Sequence, residues 1–143
     1  MQGFKRKAVY VILYELIAIV VASWGLAFFS DSALGHAGVA AAMASAIAVA
    51  WNLIFNHFFE AWEARQPVRG RSVARRAAHA VGFEVGLLLA LVPLFAWWLD
   101  VSLWHAFWMD IGLAMFFLGY TFTFTWAFDR VFGLPASALP DAN

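Results

Sequence analysis

Two glutamates sit inside apolar runs in matching surroundings. Glu15 closes "RKAVYVILYE" (Arg6 to Glu15), and Glu84 closes "RRAAHAVGFE" (Arg75 to Glu84). Each follows the last basic residue, Lys7 or Arg76, by eight positions. The helical rise then places each acid about 12 Å from its basic flank, well inside a hydrocarbon layer about 30 Å thick. Ionisable groups at that depth face a bundle interior or a wet cavity and mark ion or substrate paths. Burial disfavours the charge on a carboxyl group, and a neighbouring cation favours it. A proton and a cationic ligand would therefore compete for one carboxylate, which is the minimum chemistry of an antiporter. The other role open to each glutamate is that of a protonated donor gluing two helices. His79, five residues before Glu84, fits either a shared relay or an interhelical hydrogen bond.

Further polar groups cluster in "WNLIFNHFFE", Trp51 to Glu60. Asn52, Asn56 and Glu60 recur every four residues and share a helix face. The asparagines fit interhelical glue or direct ligand contact. Trp51, Phe55 and Phe59 form an adjacent stripe, suited to packing or to holding a flat cation through cation–π attraction. Asp110 lies roughly 9 Å in from the opposite face by helical rise, placed to exchange protons there or to snorkel to the surface. Glu60 and Asp129 fall at the basic interface, where pairing with loop arginines is expected. His36 and His105 read as solvated loop residues. Trp97, Trp98, Trp104 and Trp108 read as an interfacial belt.

These groups need helices that cross a bilayer. The 143 residues are 64% hydrophobic and 13% charged, against about 25% charged in a soluble domain. Mean hydropathy is +0.77. The expected fold is an all-α integral membrane protein with spans at about 8–29, 37–59, 77–99 and 104–128. A first hairpin would occupy 1–65, a basic loop 66–76, a second hairpin 77–132 and a tail 133–143. The first span is read as retained, since it is longer than a signal segment and Glu15 interrupts it. All nine Lys/Arg residues fall beside the termini or in the middle loop, so the positive-inside rule puts both termini in the cytoplasm. That topology accounts for the arginine cluster without nucleic acid. Zero net charge gives no global argument for binding nucleic acid, and the lack of cysteine removes disulfide and thiolate chemistry. No phosphate loop or nucleophile elbow suggests an enzyme, and no metal or cofactor is expected. His57 and His79 would hold a haem only if they met.

Sliding the chain on itself by 69 residues aligns its halves without a gap. Arg6 falls on Arg75, Glu15 on Glu84, Asp31 on Asp100, His36 on His105, Phe55 on Phe124 and Phe59 on Phe128, and Glu60 meets Asp129. The chain thus reads as two tandem hairpins in parallel repeat, one known way to build a transporter. Asp110 breaks the repeat, because its counterpart is Ala41.

Over about 5–132, the sequence resembles the proteobacterial antimicrobial compound efflux family. The resemblance rests on "RKAVYVILYE", on "WNLIFNHFFE" (the most specific), on "RSVARRAAHAVGFE", and on Asp110 followed by "YTFTFTWAFD". It implies proton-driven export of cationic biocides such as chlorhexidine, acridine dyes and quaternary ammonium compounds, with short-chain diamines as further substrates. It maps the family's key acid onto Glu15, the proton-coupling candidate, and the paired span-three acid onto Glu84. Tyr10 stands where the span-one pattern often has histidine, and Thr125 where span four often has asparagine. The site expected from residues and resemblance comprises Glu15, Trp51, Asn52, Phe55, Asn56, Glu84 and Asp110, supported by Tyr10, His79, Glu60 and Asp129. The expected setting is the bacterial inner membrane, as a homodimer if one unit leaves too little room for a gated cavity. Two rival readings are a small-multidrug-resistance-like antiporter and a non-transporting assembly subunit.

Overall fold

The computed structural model describes residues 2–68 and 70–138. Arg69 of the basic loop and the tail from 139 onward lie outside the described residues. Helix α1 spans Gly3–Ser30, α2 Leu34–Ala64, α3 Val73–Trp98 and α4 Leu103–Phe132. A 3-10 turn, Ala136–Ala138, follows α4. Among the described residues, all four long helices are long and apolar enough to cross a membrane, and there is no strand. A helix satisfies its own backbone hydrogen bonds, which lipid cannot do.

The helices run past the apolar spans at the end that carries the termini and the 65–72 loop. Charged residues there face water but remain compatible with helix, so hydropathy alone ends the spans too early. Helix α2 stops at Ala64, before Pro67 and Gly70. Helix α3 starts at Val73, where Ser72 Oγ accepts a hydrogen bond from the Arg75 amide at 3.2 Å, an ordinary N-cap.

At the opposite, hairpin end, the two tight turns repeat one another. Asp31 and Asp100 both adopt the left-handed conformation, with φ of 54° and 53°. Aspartate tolerates this region better than most residues. Past each, an amide closes back onto the helix, Ser32 to Ala27 O at 3.1 Å and Val101 to Ala96 O at 3.2 Å. All four atoms correspond at the 69-residue offset.

Each helix packs on the next, and α1 also meets α4, closing an antiparallel ring. The core sits in the hairpin half. It is built from Ala22, Leu26, Ala37, Ala40, Ala41, Leu91, Phe95 and Met109, with Phe95 fully buried. Lipid is as apolar as these side chains, so association rests on close packing, which alanines permit. In the terminal half only Phe128, among the described residues, is a buried large apolar side chain.

Candidate functional site

A cavity of about 740 Å³ occupies the middle of the bundle, with walls from all four helices. Its deep end is buried beside Ala22, Ala41 and Leu91 in the hairpin half. Its wall at mid-helix, at Val49, Leu53, Leu118 and Phe122, is exposed. The cavity is therefore closed at the hairpin end and exposed at the mid-helix level.

Three acids line this cavity, Glu15, Glu84 and Asp110, and no basic residue does among the described residues. Ser45 Oγ donates a hydrogen bond to Glu15 Oε2 across α1 and α2. Glu84 has no such donor. Its Oε1 is buried without a hydrogen-bond partner, because the position matching Ser45 is Ala114. Asp110 is 3% exposed, and its Oδ2 is likewise unpartnered. The remaining lining is mostly apolar, with Asn52 and the aromatic rings of Tyr14, Phe83 and Phe117 on the wall.

The terminal half is held by two matching zippers, α1 to α4 and α2 to α3. In the first, the Tyr10 hydroxyl bonds Thr125 Oγ1 at 2.8 Å. In the second, the His79 ring bonds Asn56 Oδ1 through Nε2 at 2.7 Å. Tyr10 corresponds to His79, and Thr125 to Asn56. Phe124 and Phe128 pack edge-on against Tyr10, with centroids at 5.2 and 5.1 Å. Phe55 and Phe59 do the same to His79 at 5.0 and 4.8 Å.

One level deeper, the Tyr120 hydroxyl donates to Tyr14 O at 2.8 Å, and Trp51 Nε1 donates to Phe83 O at 2.9 Å. Each acceptor carbonyl belongs to the residue just before a cavity glutamate. The zippers thus fix the depth and rotation of Glu15 and Glu84. They also differ in closeness. Trp51 lies so near α3 that a Cβ on Gly86 would meet its indole at 2.2 Å. Ile17 holds the corresponding position in α1.

Only some of the candidate residues converge. Glu15, Glu84, Asp110 and Asn52 share the cavity. Trp51, Phe55 and Asn56 turn instead into the α2–α3 seam. His79 bonds Asn56, five residues from Glu84 along the chain, and no His79–Glu84 hydrogen bond forms. Asp129 pairs with Arg6, which also reaches Gly133 O at 3.1 Å and lies over Phe128. Arg130 beside it lies over Trp126 instead. Glu60 lines a smaller surface pocket with Arg71 and Arg75, and it is Glu63 that pairs with Arg71, at 3.0 Å.

His36 is not a free loop residue. Its Nε2 donates to Trp98 O at 2.6 Å, Trp98 Nε1 donates to His36 O at 2.8 Å, and the rings stack. This clasp ties α2 to α3 at the sealed end.

Ser45, Tyr14, Thr121 and Tyr120 complete the site and were not singled out by spacing. The Tyr14 hydroxyl bonds Thr121 Oγ1 at 2.7 Å. One available signal was Ser45 itself, a lone hydroxyl in the alanine-rich run from Ala40 to Ala50.

Comparison with known proteins converges on one family. The chlorhexidine efflux transporter profile matches the chain twice, over residues 2–65 and 71–134, at the same 69-residue offset as the internal repeat. A short-chain diamines transporter of Acinetobacter baylyi is 39% identical over 127 residues, covering 89% of each chain. The protein of that name from Acinetobacter baumannii is 37% identical over 127 residues, covering 89% of this chain and 88% of its own. That from Vibrio parahaemolyticus is 31% identical over 122 residues, covering 85% of this chain and 86% of its own. No solved structure matches the chain.

Proposed function

The chain belongs to the chlorhexidine efflux transporter family, and on that premise we propose that it exports organic cations in exchange for protons. The observation that carries this reading is the cavity itself, with three carboxyl groups and, among the described residues, no basic one in a mostly apolar wall. An ionised carboxylate buried without a partner is costly. Either a proton or a cation removes that cost, and only one can occupy a given carboxylate at a time.

Glu15 is the exchange group in this reading. It is the acid already oriented, by Ser45, towards the shared space. A proton arriving at Glu15 releases the substrate, and a substrate arriving displaces the proton. Glu84 and Asn52 complete the wall, and the aromatic rings hold the apolar body of the ligand. The biocides implied by the resemblance and the diamines named for the relatives share this chemistry, a cationic head on an apolar frame. The eight described basic residues gather at the terminal end, which favours a cytoplasmic location for that end. Homodimer formation would cover part of the apolar exterior.

The test is transport by purified protein in vesicles with an imposed pH gradient. Glu15→Gln should abolish proton-coupled efflux of an acridine dye or diamine. Unchanged efflux by a folded variant would exclude this mechanism.

A further inference from the structure

The helices change partners along their length. In the hairpin half α1 packs closely on α2. The buried residues of these two helices, from Ala18 to Leu26 and from Ala37 to Ala41, all lie on the hairpin side of the Ser45–Glu15 hydrogen bond. In the terminal half the zippers join α1 to α4 and α2 to α3 instead. Among the described residues, no hydrogen bond or ring pair joins α1 to α2 on the terminal side of Ser45, and none joins α3 to α4. Each hairpin therefore opens along its own seam below the level of its glutamate.

The cavity meets these seams at four side chains. Val49 and Leu53 follow Ser45 by four and eight residues, so they stand on the edge of α2 that looks towards α1. Leu118 and Phe122 are their equivalents at the 69-residue offset, on the edge of α4 towards α3. All four line the cavity, yet they are 51, 68, 75 and 76% exposed. Wall residues that open to the outside form a rim.

The lining also stops at this level on every helix. Its outermost members are Tyr14, Leu53, Phe83 and Phe122, and the zipper residues Tyr10, Asn56, His79 and Thr125 lie about one turn beyond them. The zippers thus stand between the cavity and the water at the terminal end, and the rims face sideways. Leu53 and Phe122 lie seven residues short of Glu60 and Asp129, the acids of the terminal interface. That is about 10 Å by helical rise, so both rims meet the hydrocarbon of the bilayer.

We propose that the α1–α2 and α3–α4 seams are lateral portals, through which lipophilic organic cations pass between the cavity and the membrane leaflet on the terminal side. A cation with an apolar body concentrates in that leaflet by burying its alkyl or aromatic part. The apolar rims let that body slide inward without returning to water. This assignment rests on the organic-cation reading above and adds to it the route by which ligand arrives. The repeat supplies two such routes, one for each hairpin.

The test uses purified full-length protein in lipid nanodiscs and N-alkyl acridinium dyes of increasing chain length. Association and dissociation are followed by stopped-flow fluorescence. A ligand that arrives through the membrane must first partition into it. Its association rate constant, referred to free aqueous dye, should therefore rise about fourfold per methylene, following the partition gain. A ligand arriving from water would show the added methylene in dissociation alone, so a flat association rate overturns the proposal. Leu118→Trp combined with Val49→Trp crowds both rims, and should slow association and dissociation by a common factor of about threefold or more. A route does not set an equilibrium, which is why the two rates must move together. Leu118→Ala combined with Val49→Ala should speed both. If neither pair of rim variants changes the rates, the seams are not the route, while the organic-cation reading stands. A protein that binds none of the dyes would remove that reading as well.

Discussion

Tyr10 and Thr125 make across α1 and α4 the same hydrogen bond that His79 and Asn56 make across α2 and α3. Taken singly, each residue of the first pair differs from the histidine and asparagine at the equivalent positions of the other repeat. Taken together, they are one exchange of a compatible pair for another. The flanking rings, Phe124 and Phe128 against Phe55 and Phe59, are unchanged.

This relationship predicts coupling between the two positions. Tyr10→His alone, or Thr125→Asn alone, should destabilise the protein, because each mismatches its partner. The double substitution should recover part of the loss, with an interaction energy of roughly 0.5–3 kcal/mol. A double-mutant cycle on thermal unfolding in detergent measures it. Strict additivity would show that the two residues do not act as a pair.

A second prediction concerns the glycine that admits Trp51. Adding a Cβ at Gly86 brings it to 2.2 Å from the indole, so Trp51 must leave its bond to Phe83 O. Gly86→Ala should cost about 1–3 kcal/mol, as overpacking does. Gly82→Ala, whose Cβ would meet Phe55 at 3.1 Å, should cost less. Thermal unfolding of the two variants ranks them, and the reverse order would contradict the seam as described.

The pH dependence of binding has a definite sign. A protonated carboxyl is neutral and cannot pair with a cation. Substrate affinity should therefore fall as pH falls, and binding should release protons to the medium. Where one proton competes with one ligand, the apparent Kd rises up to about tenfold per pH unit on the acid side. Titration calorimetry in buffers of different ionisation enthalpy reports both effects. Binding that is independent of pH and releases no proton would rule out the competition.

Membrane orientation can be read directly because the chain has no cysteine. Single cysteines at Ser32 and Gln66 mark the two ends of the bundle. A membrane-impermeant maleimide should label Ser32→Cys in intact cells and Gln66→Cys only after permeabilisation. The opposite pattern would invert the topology.

Much of this arrangement is written in residue type and period. Four apolar runs specify the four helices, and Asp31 and Asp100 mark both tight turns. The offset relating Glu15 to Glu84 also relates their zippers. The contacts themselves were not legible. A repeat states which positions are equivalent and leaves open which helices touch. Trp51, Phe55 and Asn56 look like cavity residues on a helical wheel, yet the rotation of α2 is set by Gly82 and Gly86 on α3. Those glycines could be recognised as permissive only once their neighbours were known. Ser45 gave only an ambiguous signal, since a lone serine among alanines is also a common packing residue.

The zippers join helices from different halves, α1 of the first with α4 of the second and α3 of the second with α2 of the first. Exchanging the halves maps this set of contacts onto itself, which is the defining property of an isologous twofold interface. The chain is in effect a fused dimer, with residues 65–72 as its tether. Fusion lets the two copies diverge while the twofold frame persists. It is this freedom that allows an acid at position 110 to face an alanine at position 41, a difference that no assembly of identical hairpins could hold.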